Sequence, residues 1–131
     1  MLYKLKVQTR ARNILVDVTA DVQKAIDQSG VKSGLACVYT PHTTAAVTIN
    51  ENADPDVARD MLVTLEKLIP QRGDYRHAED NSDSHIKSSL TGCSQTVIID
   101  QGRLLLGTWQ GVFFCEFDGP RHREVWVKIL E

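Results

Sequence analysis

Apolar and polar residues alternate along much of the chain, which is the pattern of β-strands with one buried face. The first instance sets Tyr3, Leu5 and Val7 against two lysines and a glutamine. Further strands are predicted at residues 35–39, 45–49, 96–99, 104–106, 112–117 and 124–130, with a tight turn at Gln101 and Gly102. This density of strands predicts a mainly β protein.

One helix is predicted between the third and fourth of these strands. Asp54 followed by Pro55 is typical of a helix N-cap with proline in the first turn. Apolar residues then recur at i, i+4, i+8 and i+11 from Val57 to Leu68, and Pro70 ends the run. The spacing places these apolar side chains on one helix face.

A shorter helix is predicted at residues 19–29, where Val22, Ala25 and Ile26 form an apolar face and Gly30 follows. Strand-rich chains of this size usually fold as two packed sheets, because each strand has one apolar face to cover. The predicted fold is therefore a two-sheet antiparallel sandwich of jelly-roll type with two or three helices packed on it. An open α+β sheet is the alternative.

Composition and charge narrow the classes of function. The 131 residues suffice for a single domain. Fifteen basic and seventeen acidic side chains give a formal net charge of −2, which argues against a nucleic-acid partner. No apolar run approaches the roughly 20 residues of a membrane helix, and the amino terminus does not resemble a signal peptide. We therefore expect a cytoplasmic protein without a membrane partner.

The segment RHAEDNSDSHIKSS concentrates polar side chains in one stretch of the chain. His77 and His85 lie eight residues apart, with Asn81 and Asp83 between them. Imidazoles and carboxylates are ligands that zinc prefers, and they equally suit acid–base chemistry near neutral pH. A solvated acidic loop that leads into a short helix through Lys87 is the third interpretation.

Polar residues also stand at both ends of the strand in PHTTAAVTINEN. His42 precedes the strand, whereas Glu51 and Asn52 follow it, directly before the amino terminus of the predicted longer helix. Backbone N–H groups at a helix amino terminus can bind an anion, although Glu51 and Asn52 could simply cap the helix. A functional site and a cap are both open interpretations here.

A third polar group lies in GTWQGVFFCEFDGPRHR. Gln110 stands between two glycines, which permit close backbone approach. Asp118, Gly119 and Pro120 predict a turn. Arg121 and Arg123 follow it and could bind a phosphate or carboxylate by bidentate donation. His122 is predicted to lie outside the site, since it points away from its arginine neighbours in a strand.

The ordered motifs HTT, NEN, SHIKSS and GTWQG resemble the YjbQ family, an uncharacterised protein family, over essentially the whole chain. The resemblance implies a single YjbQ-like domain, a compact β-sandwich that assembles as a homotrimer, and a polar pocket lined by histidines. It also implies a secondary thiamine-phosphate synthase activity, which joins hydroxymethylpyrimidine diphosphate to thiazole phosphate. In the related pattern a glycine often stands where this chain has Asp80.

The resemblance, taken with the residue types, yields a set of candidate site residues. The predicted catalytic residues are His42, Glu51, Asp83 and His85; the predicted substrate ligands are Asn52, Asn81, Lys87, Gln110 and Arg121; and the predicted metal ligands are His42, His77 and His85. The expected ligands are a phosphorylated small molecule and a divalent ion, zinc or magnesium. The alternative is a non-catalytic metabolite- or metal-binding module. Both hypotheses require the three polar segments to meet in one pocket.

Overall fold

Eight strands and three helices make up the protein, and the computed structural model describes all residues 1–131. The elements are β1 (Leu2–Gln8), β2 (Ile14–Asp17), α1 (Thr19–Ser29), β3 (Gly34–Tyr39), β4 (Ala45–Glu51), α2 (Pro55–Leu68), α3 (Ser82–Thr91), β5 (Ser94–Asp100), β6 (Arg103–Leu104), β7 (Gln110–Glu116) and β8 (His122–Leu130). The protein is therefore mainly β, as the alternation predicts. No helix is long and apolar enough to cross a membrane.

The strands form two antiparallel sheets. The larger sheet has the order β1-β8-β3-β5-β6 and the smaller the order β2-β7-β4. Side chains from both sheets share one core, with Val38 and Val125 contributed by the larger sheet and Val47 and Phe114 by the smaller. The predicted sandwich with helices is confirmed, and the open single sheet is excluded.

The predicted end of α1 and the predicted start of α2, which depend on local sequence signals, are confirmed. Helix α1 ends at Gly30, which adopts a left-handed conformation with φ 73°. Helix α2 begins after Asp54, whose side chain accepts a hydrogen bond from the backbone N–H of Asp56 at 2.9 Å. The turn at Gln101 and Gly102 is confirmed too, with both residues at positive φ.

Two strands differ from the prediction. Strand β2 was not predicted, because its four residues, ILVD, are too few to show alternation. Strand β6 covers only two residues, whereas a strand through residue 106 was predicted. The backbone N–H of Leu105 donates to Ile98, but the N–H of Leu106 bonds locally to Leu104, so the ladder stops there.

The outer face of the larger sheet is left uncovered. Leu35 of β3 lies beside Ile98 of β5 and Leu130 of β8 in the sheet register, and all three point away from the core. With Leu2 and Tyr39 they form an apolar outer face, on which each residue is between 39% and 53% exposed. Large apolar patches of this kind commonly mark interaction surfaces.

Candidate functional site

A mainly polar pocket of about 350 Å³ lies where three connections meet: the loop between β3 and β4, the segment before and within α3, and the turn between β7 and β8. We call it the histidine pocket. Its lining residues are Pro41, His42, Thr43, Thr44, Glu79, Asn81, His85, Asp118, Arg121 and Arg123. The fold thus brings together four residues predicted from sequence, namely His42, Asn81, His85 and Arg121.

His85 borders two further grooves besides the histidine pocket. One, of about 610 Å³, includes Tyr39, Ser88 and Cys93, and the other, of about 450 Å³, includes His77. The rings of His77 and His85 meet edge to face, with their centroids 5.5 Å apart. His85 therefore lines all three cavities, whereas His77 lines only one of the two grooves and not the histidine pocket.

The tautomer of His42 follows from its backbone contact. The Nε2 atom of His42 accepts a hydrogen bond from the backbone N–H of Glu124 at 2.9 Å. An accepting Nε2 carries no proton, so the neutral ring carries its proton on Nδ1. Burial, followed by the positive charge of Arg123, holds the pKa of His42 below its usual value. His42 is therefore a neutral donor through Nδ1.

We predict that His42 makes stability depend on pH. The unfolded chain takes up a proton near pH 6.5, whereas folded His42 does so only at lower pH. Its stabilising contribution is thus complete above pH 6.5 and is lost as the pH falls through the native pKa. In His42→Gln the amide oxygen can accept the same N–H, so urea unfolding at several pH values should show a weaker dependence. An unchanged dependence, or a proton on Nε2 in nitrogen-15 NMR spectra, would contradict this assignment.

A buried ion pair forms one wall of the histidine pocket. The Nε atom of Arg123 donates to Glu116 Oε1 at 2.8 Å, and its Nη2 atom donates to Thr44 Oγ1 at 2.7 Å. Thr9 donates a further hydrogen bond to Glu116 Oε1 at 2.7 Å. Because Glu116 and Arg123 are both buried, this network fixes the guanidinium rather than leaving it free to move.

A second buried network anchors helix α3. Two guanidinium nitrogens of Arg12 each donate to one oxygen of Asp83 at 3.0 Å, and the Lys87 ammonium donates to Asp83 at 2.9 Å. Lys87 also pairs with Glu66. Burial raises the pKa of Asp83, but the hydrogen bonds from Arg12 and Lys87 outweigh it and lower the pKa overall. Asp83 and Lys87 do not line the histidine pocket and instead hold α3 in place.

The residue before the α3 cap has an unusual backbone. Asp80 adopts a positive φ of 60°, the region that favours glycine. This explains why a glycine suits position 80 in the related pattern. The aspartate of this chain adopts the same backbone region that a glycine would. Gln71 Nε2 donates to the backbone oxygen of Asp80 at 3.2 Å and so supports the strained residue.

The predicted residues at the far end of β4 do not reach the histidine pocket. Glu51 pairs with Gln110 in the register of β4 and β7. Asn52 Nδ2 donates to Asp17 at 3.2 Å, and Gln110 Oε1 accepts from the N–H of Gly107 at 2.8 Å. A seven-residue strand is about 20 Å long, so these residues and His42 lie at opposite ends of β4. One chain does not bring all three polar segments into one pocket.

The three predicted metal ligands do not form a metal site within one chain. No group of three or more His, Cys, Asp or Glu side chains is arranged to hold a metal ion. The Nε2 lone pair of His42 is used by Glu124, and His77 borders a different groove from His42. The donor set in this chain therefore does not fit zinc or magnesium, whose binding would need other or additional ligands.

Some pocket residues were not among the candidate site residues. Arg123 was interpreted as a possible phosphate or carboxylate ligand, and its place on the buried face of β8 with Val125 and Val127 was a further signal. Asp118 was interpreted only as part of a turn with Gly119. Its presence in the pocket depends on how the β7–β8 connection folds back, which no local pattern indicates.

These features define a small β-sandwich with a mainly polar histidine pocket at one end. Residues 3–131 match the family described as UPF0047 protein YjbQ-like. The chain belongs to this family.

Relatives of known sequence and structure are similar over nearly the full length. The chain is 58% identical to a UPF0047 protein of Methanocaldococcus jannaschii, covering 99% of this chain and 94% of that protein. It is 49% identical to the UPF0047 protein YugU of Bacillus subtilis, covering 99% of both. A crystal structure of an uncharacterized YjbQ/UPF0047 protein from Clostridium acetobutylicum has a TM-score of 0.97 at 56% identity, covering 98% of this chain and 99% of that one.

Proposed function

We propose that the histidine pocket binds the phosphate group of a small molecule. The observation that carries this proposal is that Arg121, Arg123 and His42 line one pocket in which proline is the only apolar residue. The guanidinium of Arg121 is half exposed and uses Nε and Nη2 for Asp118, which leaves Nη1 without a protein partner. Guanidinium groups bind phosphate through several donors at once.

His85 is the group in this pocket that is suited to transfer a proton. Neither of its ring nitrogens has a hydrogen-bond partner in the protein, whereas His42 is fixed by Glu124. His85 is also only partly buried, so a ligand in the pocket can reach its ring. We therefore assign the general acid or base role to His85 alone.

The reaction proposed for this site is thiamine-phosphate synthesis. The support is the family membership and a pocket that offers phosphate donors beside a free imidazole. The experiment supplies purified protein with hydroxymethylpyrimidine diphosphate and thiazole phosphate, and measures thiamine phosphate over time. Product formation supports the enzyme, and failure to form product while either precursor binds would contradict catalysis.

A non-catalytic metabolite-binding module is the second candidate. The observation that favours it is the placement of Asp83 and Lys87, which are held in buried ion pairs and cannot act on a ligand. The pocket then contains one free imidazole and no second free base on α3. Saturable binding of a phosphorylated metabolite without turnover would support this candidate. Binding of a divalent ion stays a prediction, which metal analysis of the purified protein checks.

We also propose that the protein assembles as a homotrimer through the apolar outer face. Its support is the row of Leu35, Ile98 and Leu130 across three adjacent strands, which nothing in the chain covers. Burying such side chains between subunits is favourable by about 25 cal/mol per Å² of apolar surface. Lys4, on the edge strand β1, would contribute to the polar rim that interfaces usually have.

Ile98→Lys is expected to dissociate the trimer, because it places a charge in the row of apolar side chains on the outer face. Sedimentation velocity should give a trimer mass for the unchanged protein and a monomer mass for the variant. Leu68→Lys is the matched control, since Leu68 is an exposed leucine at the end of α2 and away from that face. A trimer that survives Ile98→Lys, or an unchanged protein that is monomeric, would contradict the proposal.

A further inference from the structure

We propose that Asp118 is a ligand-binding residue that selects phosphorylated molecules with an ammonium or other N–H donor close to the phosphate. This inference rests on the proposed phosphate-binding function of the histidine pocket. It adds a second contact for the ligand, at a residue that no sequence motif indicates.

The carboxylate of Asp118 is held in place but only partly used. Its Oδ2 atom accepts from Asn81 Nδ2 at 2.8 Å and from Arg121 Nη2 at 3.1 Å. No protein group donates to its Oδ1 atom, and the side chain is 15% exposed in the pocket lining. A fixed carboxylate with one free oxygen is arranged to accept a hydrogen bond from a ligand.

A neighbouring acceptor also lacks a donor. Asn81 is buried, and its Oδ1 atom has no hydrogen-bond partner. The orientation of this amide follows from its contact with Asp118, because only the NH₂ group can donate to a carboxylate. Buried acceptors without partners are uncommon and unfavourable. Two acceptors without a donor, on side chains that are hydrogen-bonded to each other, create a need for a donor rather than for a further anion.

The charges around the pocket agree with this requirement. The lining has two guanidinium groups, of Arg121 and Arg123, and two carboxylates, of Glu79 and Asp118, while Arg123 is also paired with the buried Glu116. A bare phosphate would gain from the guanidinium groups but would be repelled by the carboxylates. A molecule that carries an ammonium beside its phosphate can place the phosphate against the guanidinium groups and the ammonium against the carboxylates. The lining therefore complements a zwitterion better than a simple anion.

The test compares two probes of similar size, 2-aminoethyl phosphate and propyl phosphate, which share the phosphate and differ in an ammonium against a methyl group. Their dissociation constants are measured by isothermal titration calorimetry on the full-length protein and on Asp118→Asn. The unchanged protein is expected to bind 2-aminoethyl phosphate about tenfold more tightly than propyl phosphate, or more tightly still. In Asp118→Asn the amide oxygen can keep the contacts to Asn81 and Arg121, and the NH₂ group then points toward the ligand. The ratio of the dissociation constants of the two probes should therefore fall to about one.

Each outcome has a distinct meaning, because the ratio within one protein cancels any general loss of binding. Equal affinities in the unchanged protein overturn the role of Asp118 and leave the phosphate site standing. A preference that persists in Asp118→Asn also overturns it, since the donor would then be bound elsewhere. If neither probe binds, the proposed phosphate-binding function fails and this inference fails with it.

Discussion

Replacing Asp83 with asparagine is expected to lower the free energy of unfolding by about 3–5 kcal/mol, which is the usual effect of breaking a buried ion pair. The Asp83 side chain is 0% exposed and the Lys87 side chain is 1% exposed. Without the carboxylate charge, the Lys87 ammonium keeps only Glu66, and the guanidinium of Arg12 loses its bidentate partner. Urea denaturation followed by circular dichroism measures the change.

The matched control is Asp60→Asn, because Asp60 forms an equally short pair with Arg59 at 2.8 Å on the surface. Those two side chains are 69% and 68% exposed, so water screens the pair and the loss should stay below about 1 kcal/mol. Equal effects of the two substitutions would show that the buried network does not anchor α3.

The same network predicts how stability changes in acid. The pKa of Asp83 is lower in the folded protein than its usual value of 3.8. Its stabilising contribution is therefore complete above that pH and is lost as the pH falls through the lowered native pKa. The free energy of unfolding should consequently fall less steeply with decreasing pH in Asp83→Asn than in the unchanged protein.

His85→Ala is expected to lower kcat/KM by about 10²- to 10⁴-fold for the reaction of the histidine pocket, the range that general acid–base catalysis supplies. The reason is that His42 is fixed as a neutral donor, so His85 carries the free imidazole of the pocket. Initial rates of thiamine-phosphate formation from both precursors measure the effect.

His122→Ala is the control for that experiment. His122 lies on β8, is exposed, and borders a cavity that includes Lys6 and Glu124. Its replacement should leave the rate within about twofold, because its side chain does not line the histidine pocket. A rate that is insensitive to His85→Ala would remove His85 from the mechanism, whatever the control shows.

The fold was largely predictable because its signals are local. The Asp54 and Pro55 pair and Gly30 act through their own backbone geometry, and alternation on β3 and β8 reports which side of each strand is buried. Strand β2 and the end of β6 were not predictable, since their pairing depends on partners distant in sequence.

The site was only partly predictable, for two physical reasons. Charged residues are expected at the surface, so no pattern indicated that Asp83 and Lys87 are buried and paired with Arg12. The separation of Glu51 from His42, by contrast, follows from the length of the strand between them and was already present in the pattern. Polar residues at the two ends of one strand can share a pocket only if a second chain, or a segment that folds back, brings the two ends together.

The claim that the histidine pocket binds phosphate is tested most directly by titrating the nitrogen-15-labelled protein with inorganic phosphate and following amide and side-chain shifts by NMR. The prediction is saturable shifts centred on Arg121, His42 and His85, with about tenfold weaker binding in Arg121→Gln. Arg103→Gln, which changes an arginine in the groove beside α1, should bind as tightly as the unchanged protein. Shifts that do not saturate, or that centre on the α1 groove, would contradict the claim.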